Sequence, residues 1–362
     1  MPLPPLGRLA LAAVELRRVA MPLIEPFHTA DGIRCERDVL LVRVLGTEGE
    51  EGWGECVAES APSYAPEYVD GCAHVLRSFI LPGVLAWSSI GVDDVHLGVP
   101  GHEMAQAALV DAVLDALLRR ADRPLAAWLG AAREAVPATL TLGLGDPPDA
   151  GPYRSVKLKL DASTEAWPDA ERLRADGVEA VSADANGSLD LAGLLANDRA
   201  GFDHIEQPLG VGDLVGHVEA RRRSSTPIAL DEPITGVDVI RTVAALGAAD
   251  LVVVKPGRVG GVVAARACVE AATALGLGVK VGGMLETGIG RAATLAVAAL
   301  PGCTVPADLS ASDRYWGDDD LTEPCALDTD GCLTVPTGPG TGVTVRADLL
   351  GRRTTAVETH RR

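Results

Sequence analysis

At 362 residues and 47% hydrophobic content, the chain is long enough for one large barrel with a smaller domain and has ample apolar surface for a core. A formal charge of −18 with 3% aromatic residues argues against nucleic acid as a partner, since there is no basic excess for phosphates and little surface on which bases stack. The seven cysteines are odd in number and lack C-x-x-C spacing, which indicates neither a disulfide framework nor a zinc site and predicts a reducing cytoplasm.

The apolar patch Leu9 to Val14 runs directly into charged residues and is too short for a signal or a membrane span, so no membrane partner is expected. The stretches VELRRVAMPL and DVLLVRVLG read as strands, and EGWGECV continues the sheet after an acidic turn. Between the first two, EPFHTADGIR mixes Pro, Thr, Asp and Gly and predicts a mobile loop. YVDGCAHVLRSFILPGVL and AQAALVDAVLDALLRRA have helical periodicity. From Ala138 an alternation begins in which ATLTLG, SVKLKL, VEAVSAD, HIEQP, IALDE, LVVVKP, GVKVGG and TVPADLS are eight strand candidates, separated mostly by Ala-rich helical stretches. Eight parallel strands with an outer ring of helices predict a barrel. The final segment, from about Trp316, carries strand-like CLTV and Pro/Gly-rich VPTGPGTGV, and is expected to return to the N-terminal region.

Five of the strand candidates end in one charged residue: Lys159, Asp184, Glu206, Asp231 and Lys255, in steps of 25, 22, 25 and 24 residues. In a parallel barrel the C-terminal strand ends converge on one mouth, so distance in sequence becomes proximity in space. Lys157 and Lys159 share a strand face by the period of two. In an isolated strand that face is solvated, but barrel strands are covered outside by helices, which directs two lysines inward to the mouth. Asp184, Glu206 and Asp231 can each cap a following helix. Three together crowd negative charge, and hard oxygen ligands at that density suit Mg²⁺, with Mn²⁺ as a substitute. Asn186 and Glu232 are candidates to orient those ligands from behind.

After Lys255, PGRVGG reads either as a tight turn or as a phosphate cradle, although no Walker or dinucleotide spacing surrounds it. GGMLETGIGR brings backbone N–H groups toward the mouth, or is a simple turn. No histidine stands beside a Ser or Cys nucleophile in a hydrolase motif. Lys157, Lys159, Lys255 and Arg258 are the local cations that can meet an anionic substrate on so acidic a chain. Proton abstraction next to a carboxylate suits these parts, because a positioned cation makes the enediolate accessible. A lysine base works near neutral pH when a neighbouring cation lowers its pKa, a role assigned to Lys157 beside Lys159.

The motifs PLIEPFHT, KLKL, DAN, IEQPL, LDEPI, VVKPGRVGG, GGMLETGIGRA, DLSASDRYW and VPTGPGTGV resemble, along nearly the whole chain, the enolase superfamily. More narrowly, the chain is similar to the o-succinylbenzoate synthase / N-succinylamino acid racemase family, whose lysine-plus-Mg²⁺ pattern is well known. The resemblance implies a (β/α)7β barrel (131–315), an α+β capping domain (1–130) and a C-terminal segment (316–362) that returns to the cap. It implies Mg²⁺ on Asp184, Glu206 and Asp231, with Lys159 and Lys255 on opposite faces of a small-molecule carboxylate and Lys157 beside them. By position, Phe27, Thr29, Tyr64, Thr141, Asn186, Arg258, Gly283 and Met284 are expected substrate contacts, with Glu232 behind the metal ligands. The family often has a small Gly-x-Ser on the first barrel strand where this chain has Thr139 and Thr141. Dipeptide epimerases of the superfamily carry Asp-x-Asp after the eighth strand, whereas here Asp308 is followed by Leu309 and Ser310. A dedicated racemase is the alternative within the family. A non-catalytic enolase-like protein would be expected to lose ligands or bases, and all five are present. A cytoplasmic homo-oligomer is expected.

Overall fold

The computed structural model describes residues 2–29, 32–95 and 98–362. An antiparallel sheet is built first, from β1 (Leu11–Thr29), β2 (Gly32–Gly46) and β3 (Glu51–Cys56). A continuous helical run follows as α1 (Val69–Val75), a π-helical turn (Leu76–Ile80) and α2 (Leu81–Ala86), with Pro82 in the first turn of α2. The run Val69–Ala86 is apolar and long enough to cross a membrane by composition, yet half of it is buried inside the protein. The long helix α3 (Glu103–Arg120) then packs on β3. That approach explains the Gly-x-Gly of EGWGEC: a Cβ on Gly52 would stand 2.1 Å from the Ala112 carbonyl oxygen, and one on Gly54 2.0 Å from that of Ala108.

After α4 (Leu125–Leu129) and β4 (Ala135–Pro137), a seven-stranded parallel sheet takes over. Its strands are β5 (Thr139–Leu142), β6 (Ser155–Lys159), β7 (Ala180–Asp184), β8 (Ile205–Glu206), β9 (Ile228–Leu230), β10 (Leu251–Val254) and β11 (Gly278–Val281), paired in sequence order. Between them run α5 (Trp167–Ala175), α6 (Leu191–Asn197), α7 (Leu214–Arg223), α8 (Val237–Leu246) and α9 (Val262–Ala274), and α10 (Gly288–Ala298) follows β11. The eighth strand expected at TVPADLS is reduced to two parallel bridges, Ala138↔Ala307 and Gly282↔Asp308. Those bridges join the two edges of the sheet, so the barrel closes although its last rung is short. The fold is thus a (β/α)7β barrel with an α+β cap.

The chain returns through β12 (Cys332–Thr334), which pairs with β4 at the barrel, then α11 (Ala347–Arg353) and β13 (Thr354–Arg361), which pairs antiparallel with β1. Trp316, Leu321, Leu349 and Leu350 join Val19, Met21, Phe27 and Trp53 in one apolar cluster. The strand β13 had no counterpart in the sequence reading. It is an exposed edge with one large apolar residue, Val357, and therefore shows no buried alternation.

The expected loop at EPFHTADGIR is corrected by the structure. Strand pairing covers its described residues, with Phe27↔Arg34 and His28↔Ile33 in register after an irregularity between Pro22 and Phe27, while Ala30 and Asp31 lie outside the described residues. Pro26 lacks an N–H and falls within that irregularity, while burial of Phe27 against Tyr315 holds the strand beyond it.

Candidate active site

Parallel register sets Lys159 beside Asp184, Asp184 beside Glu206, and Thr141 beside Lys157. At the C-terminal ends of barrel strands such groups converge on one mouth, and Lys157, Asp184, Glu206 and Thr141 are all buried there. Lys159 Nζ donates to Asp184 Oδ2 at 2.7 Å and to Asn186 Oδ1 at 2.5 Å. Asn186 Nδ2 donates in turn to Glu232 Oε1 at 2.9 Å, so the Asn fixes the direction of the lysine. Lys157 Nζ lies 3.1 Å from Asp184 Oδ2 and 3.3 Å from Glu206, and donates to Asp308 Oδ2.

Lys255 makes a matching pair on the other side of the barrel mouth. Its Nζ is 2.8 Å from Asp231 Oδ2 and 3.0 Å from the Tyr64 hydroxyl. Arg258 Nη2 holds the other oxygen of Asp231 at 2.7 Å, and Nη1 donates to the same Tyr64 hydroxyl at 2.5 Å. The Tyr64 hydroxyl donates to Asp231 Oδ2 at 3.1 Å. The cap therefore reaches into the barrel through Tyr64.

These groups surround a cavity of about 110 Å³. Phe27, Tyr64, Thr141, Lys157, Lys159, Asp184, Asn186, Lys255, Gly283 and Met284 line it. Glu206, Asp231, Glu232 and Arg258 do not reach its wall; Arg258 is only 4% exposed and lies beneath Tyr64. Thr29 ends β1, and its side chain lies outside the described residues. Three non-glycine residues around the strand ends hold left-handed backbone: Asn186 at φ 45°, Gln207 at φ 39° and Leu285 at φ 58°. Strained conformations of this kind persist where surrounding structure over-determines them, as in ligand sites.

Burial works against the charge on Asp184, but Lys159 and Lys157 hold its carboxyl well below the usual range. Asp231 is likewise held low by Arg258 and Lys255 against the cost of burial. Lys255 is driven upward in return: burial lowers it, but Asp231 with Tyr64 and Glu206 together outweigh that cost. Lys157 also rises: burial lowers it, but Asp308, Glu206 and Asp184 together outweigh that. Glu206 behaves oppositely to Asp184. Burial pushes its carboxyl up to about 8 despite Lys157, with Asp184 and Asp231 adding like charge.

Hard oxygen donors from three adjacent strands suit Mg²⁺ by their chemistry. Glu232 Oε2 is buried without a hydrogen-bond partner, and burial with Asp231 and Asp184 pushes that carboxyl up to about 6. An orphaned acceptor and two carboxyls raised by burial and by like charge are relieved by a bound cation, so the donor set fits one. As placed, lysine ammonium groups lie on these oxygens, and among the described residues no three ligating groups converge on a single point.

Other turns are already satisfied. The N–H of Val262, which opens α9 after PGRVGG, donates to Asp111 Oδ1 of α3 at 3.0 Å. That turn is therefore a cap-to-barrel contact and not a phosphate cradle. Glu286 Oε2 accepts from Met284 N at 2.7 Å, and Glu55 closes the start of α10.

Several residues at the site escaped the sequence reading. Asp308 ends the bridging eighth strand and accepts from Thr141 Oγ1 at 2.8 Å as well as from Lys157. Its position after TVPA in the strand alternation was a usable signal. Lys280, only 1% exposed, lies 3.5 Å from His204 Nε2 and 3.9 Å from Glu206 Oε2, beneath the mouth. Burial lowers both Lys280 and His204 from their ordinary values. Arg34 and Glu59 of the cap and Tyr315 after the eighth strand also line the cavity.

Residues 147–349 match the enolase C-terminal domain-like family. An N-succinylamino acid racemase from Amycolatopsis sp is 43% identical, covering 96% of this chain and 98% of the relative. The o-succinylbenzoate synthase of Bacillus subtilis (strain 168) is 34% identical over 95% of this chain and 97% of its own length. Among solved structures, an enolase superfamily member from Listeria innocua Clip11262 superposes with a TM-score of 0.89 at 29% identity, covering 98% of this chain and 99% of that one.

Proposed function

The chain belongs to the enolase superfamily, in the family of o-succinylbenzoate synthases and N-succinylamino acid racemases, and from that premise we propose that it is an o-succinylbenzoate synthase of menaquinone biosynthesis that also racemises N-succinylamino acids. The observation that carries this reading is the presence of two lysines on one cavity, Lys159 held by Asp184 and Lys255 held by Asp231.

In the synthase reaction Lys159 takes the α-proton of 2-succinyl-6-hydroxy-2,4-cyclohexadiene-1-carboxylate, and the electron pair passes into the carboxylate as an enediolate. The C–O bond of the ring hydroxyl then breaks, Lys159 returns its proton to the departing oxygen, and water leaves as the ring becomes aromatic. Lys255, kept protonated by Asp231, supplies fixed positive charge to the enediolate. In racemisation one lysine removes the α-proton and the other delivers a proton to the opposite face. Mg²⁺, or Mn²⁺ in its place, would be held by Asp184, Glu206 and Asp231 and supplies positive charge to the substrate carboxylate when bound. Asn186 orients Lys159, and Glu232 braces Asn186.

In this reading residues 131–315 carry the chemistry, while 1–130 and 316–362 cover the cavity and contribute Phe27, Thr29 and Tyr64. The protein works in the cytoplasm, as a homo-oligomer, on a small-molecule carboxylate, without nucleic acid or membrane. A dedicated racemase is the second reading, favoured by 43% identity to a racemase against 34% to a synthase. Assay of both substrates with the purified protein separates the two. Turnover of neither would leave a non-catalytic protein of this fold.

A further inference from the structure

The cavity has a second pole of charge that the lysine chemistry does not use. Arg34 on β2 stands opposite Phe27 of β1 in antiparallel register, and both side chains line the cavity from the cap. Arg34 Nη1 donates to Glu59 Oε1 at 2.5 Å. The other Glu59 oxygen lies 3.6 Å from Arg37 Nη1. Arg37 is a structural cation: its two terminal nitrogens donate to the carbonyls of Ala58 and Val57 at 2.7 and 2.6 Å, and its side chain is 3% exposed.

Two guanidinium groups thus share one carboxylate, which leaves a net positive charge. The group as a whole is cationic, and Arg34, with its side chain 21% exposed, is its outermost member and the one of the two cations that lines the cavity. Other cations on the wall are already engaged. Lys157 is held by Asp184, Glu206 and Asp308, Arg291 by Asp320 and Ser312, and Lys159 and Lys255 stand where the α-carbon reacts. A plain surface ion pair would be worth little. Here the carboxylate is buried, pinned from behind by Arg37, and the pair forms part of a ligand cavity.

We propose that Arg34 is the specificity-determining residue for the acyl end of the substrate, taking the distal carboxylate of a dicarboxylic acyl group such as succinyl, while Glu59 and Arg37 hold its guanidinium in place. The fork of N–H donors on arginine matches a carboxylate in geometry and charge, whereas a neutral acyl group such as acetyl offers it no anion. This inference rests on the N-acylamino acid reading of the site given above.

The test uses N-succinylglycine and N-acetylglycine, which lack a stereocentre, as binding probes, together with the N-succinyl and N-acetyl derivatives of one chiral amino acid as racemisation substrates. Wild type, Arg34→Gln and Arg34→Lys are compared by calorimetry and by kcat and KM, all with Mg²⁺ present and with folding checked by circular dichroism. The expected result is that wild type prefers the succinyl probe and that Arg34→Gln lowers the succinyl-over-acetyl preference by about 10- to 100-fold, through KM and not kcat. Arg34→Lys should recover part of it. Racemisation of the succinyl substrate with a preference that Arg34→Gln leaves intact would overturn this inference and spare the function. An Arg34-dependent succinyl preference in binding without any turnover would support the inference and overturn the function.

Discussion

Replacing Glu55 by Gln should change how stability depends on pH at the seam between cap and barrel. Glu55 Oε1 accepts from Thr287 N at 3.0 Å, and Oε2 accepts from Thr287 Oγ1 at 2.7 Å and Gly290 N at 3.1 Å, so a carboxyl from β3 closes the first turn of α10. Burial, with Glu286 adding like charge, pushes it from 4.5 up to about 7. Because the folded value lies above the unfolded one, the stabilisation from this group is fully present below 4.5 and is lost as pH rises through about 7. That interval corresponds to about 3 kcal/mol. Gln keeps the shape and one acceptor but turns an N–H toward Gly290 N, which costs about 1 to 2 kcal/mol at any pH. Glu55→Gln should therefore be the less stable protein near pH 5 and should equal or exceed the parent by about 1 kcal/mol near pH 8. Asp111 is also pushed up to about 7 by burial, but it is present in both proteins, so the difference between them isolates Glu55. Urea midpoints followed by circular dichroism from pH 5 to 8 measure it. Parallel pH curves for the two proteins would refute the claim that a buried, titrating carboxyl joins cap to barrel.

Lys159→Ala should lower kcat by at least about 100-fold in both synthase and racemase reactions, since one lysine begins each; near-normal synthase turnover would mean that the base is misassigned. Arg258→Gln removes a cation that shares Asp231 and Tyr64 with Lys255 and opposes its protonation. Lys255 should then hold its proton more tightly, slowing α-proton exchange by roughly tenfold or more while dehydration changes less than about threefold. Equal losses in the two reactions would count against an asymmetric demand on Lys255. Chelation should abolish turnover, with Mg²⁺ restoring it, and Mn²⁺ should bind stoichiometrically by electron paramagnetic resonance; full activity in metal-free protein would remove the metal from the scheme.

The barrel was legible because five of its strand candidates end in a charged residue, and the steps between Lys159, Asp184, Glu206, Asp231 and Lys255 match one strand-helix unit. Asp308 was harder to assign. Its partner Lys157 is 151 residues away, and the strand that carries it is reduced to bridges with little pattern of its own. The Arg34, Glu59 and Arg37 group was invisible because no local period links a hairpin strand to the segment after β3. The hairpin at EPFHTADGIR misled for a related reason: turn-forming residues dominate its composition, whereas packing of Phe27 against Tyr315 decides its conformation. Lys280 gave a lysine in an apolar strand, but only the folded barrel shows it against His204 and Glu206.

Two-base proton chemistry at Lys159 and Lys255 is tested most directly by incubating each enantiomer of an N-succinylamino acid with the wild-type protein and Mg²⁺ in D₂O and following the α-proton by NMR. The expected result is loss of the α-proton signal from both enantiomers, with deuterium appearing in substrate and product, and, in Lys159→Ala, loss of exchange from the one enantiomer whose α-proton faces Lys159, while Lys255 still exchanges the other. Retention of the α-proton in both enantiomers, by a folded wild-type protein at high concentration, would contradict a lysine pair poised on opposite faces of the α-carbon.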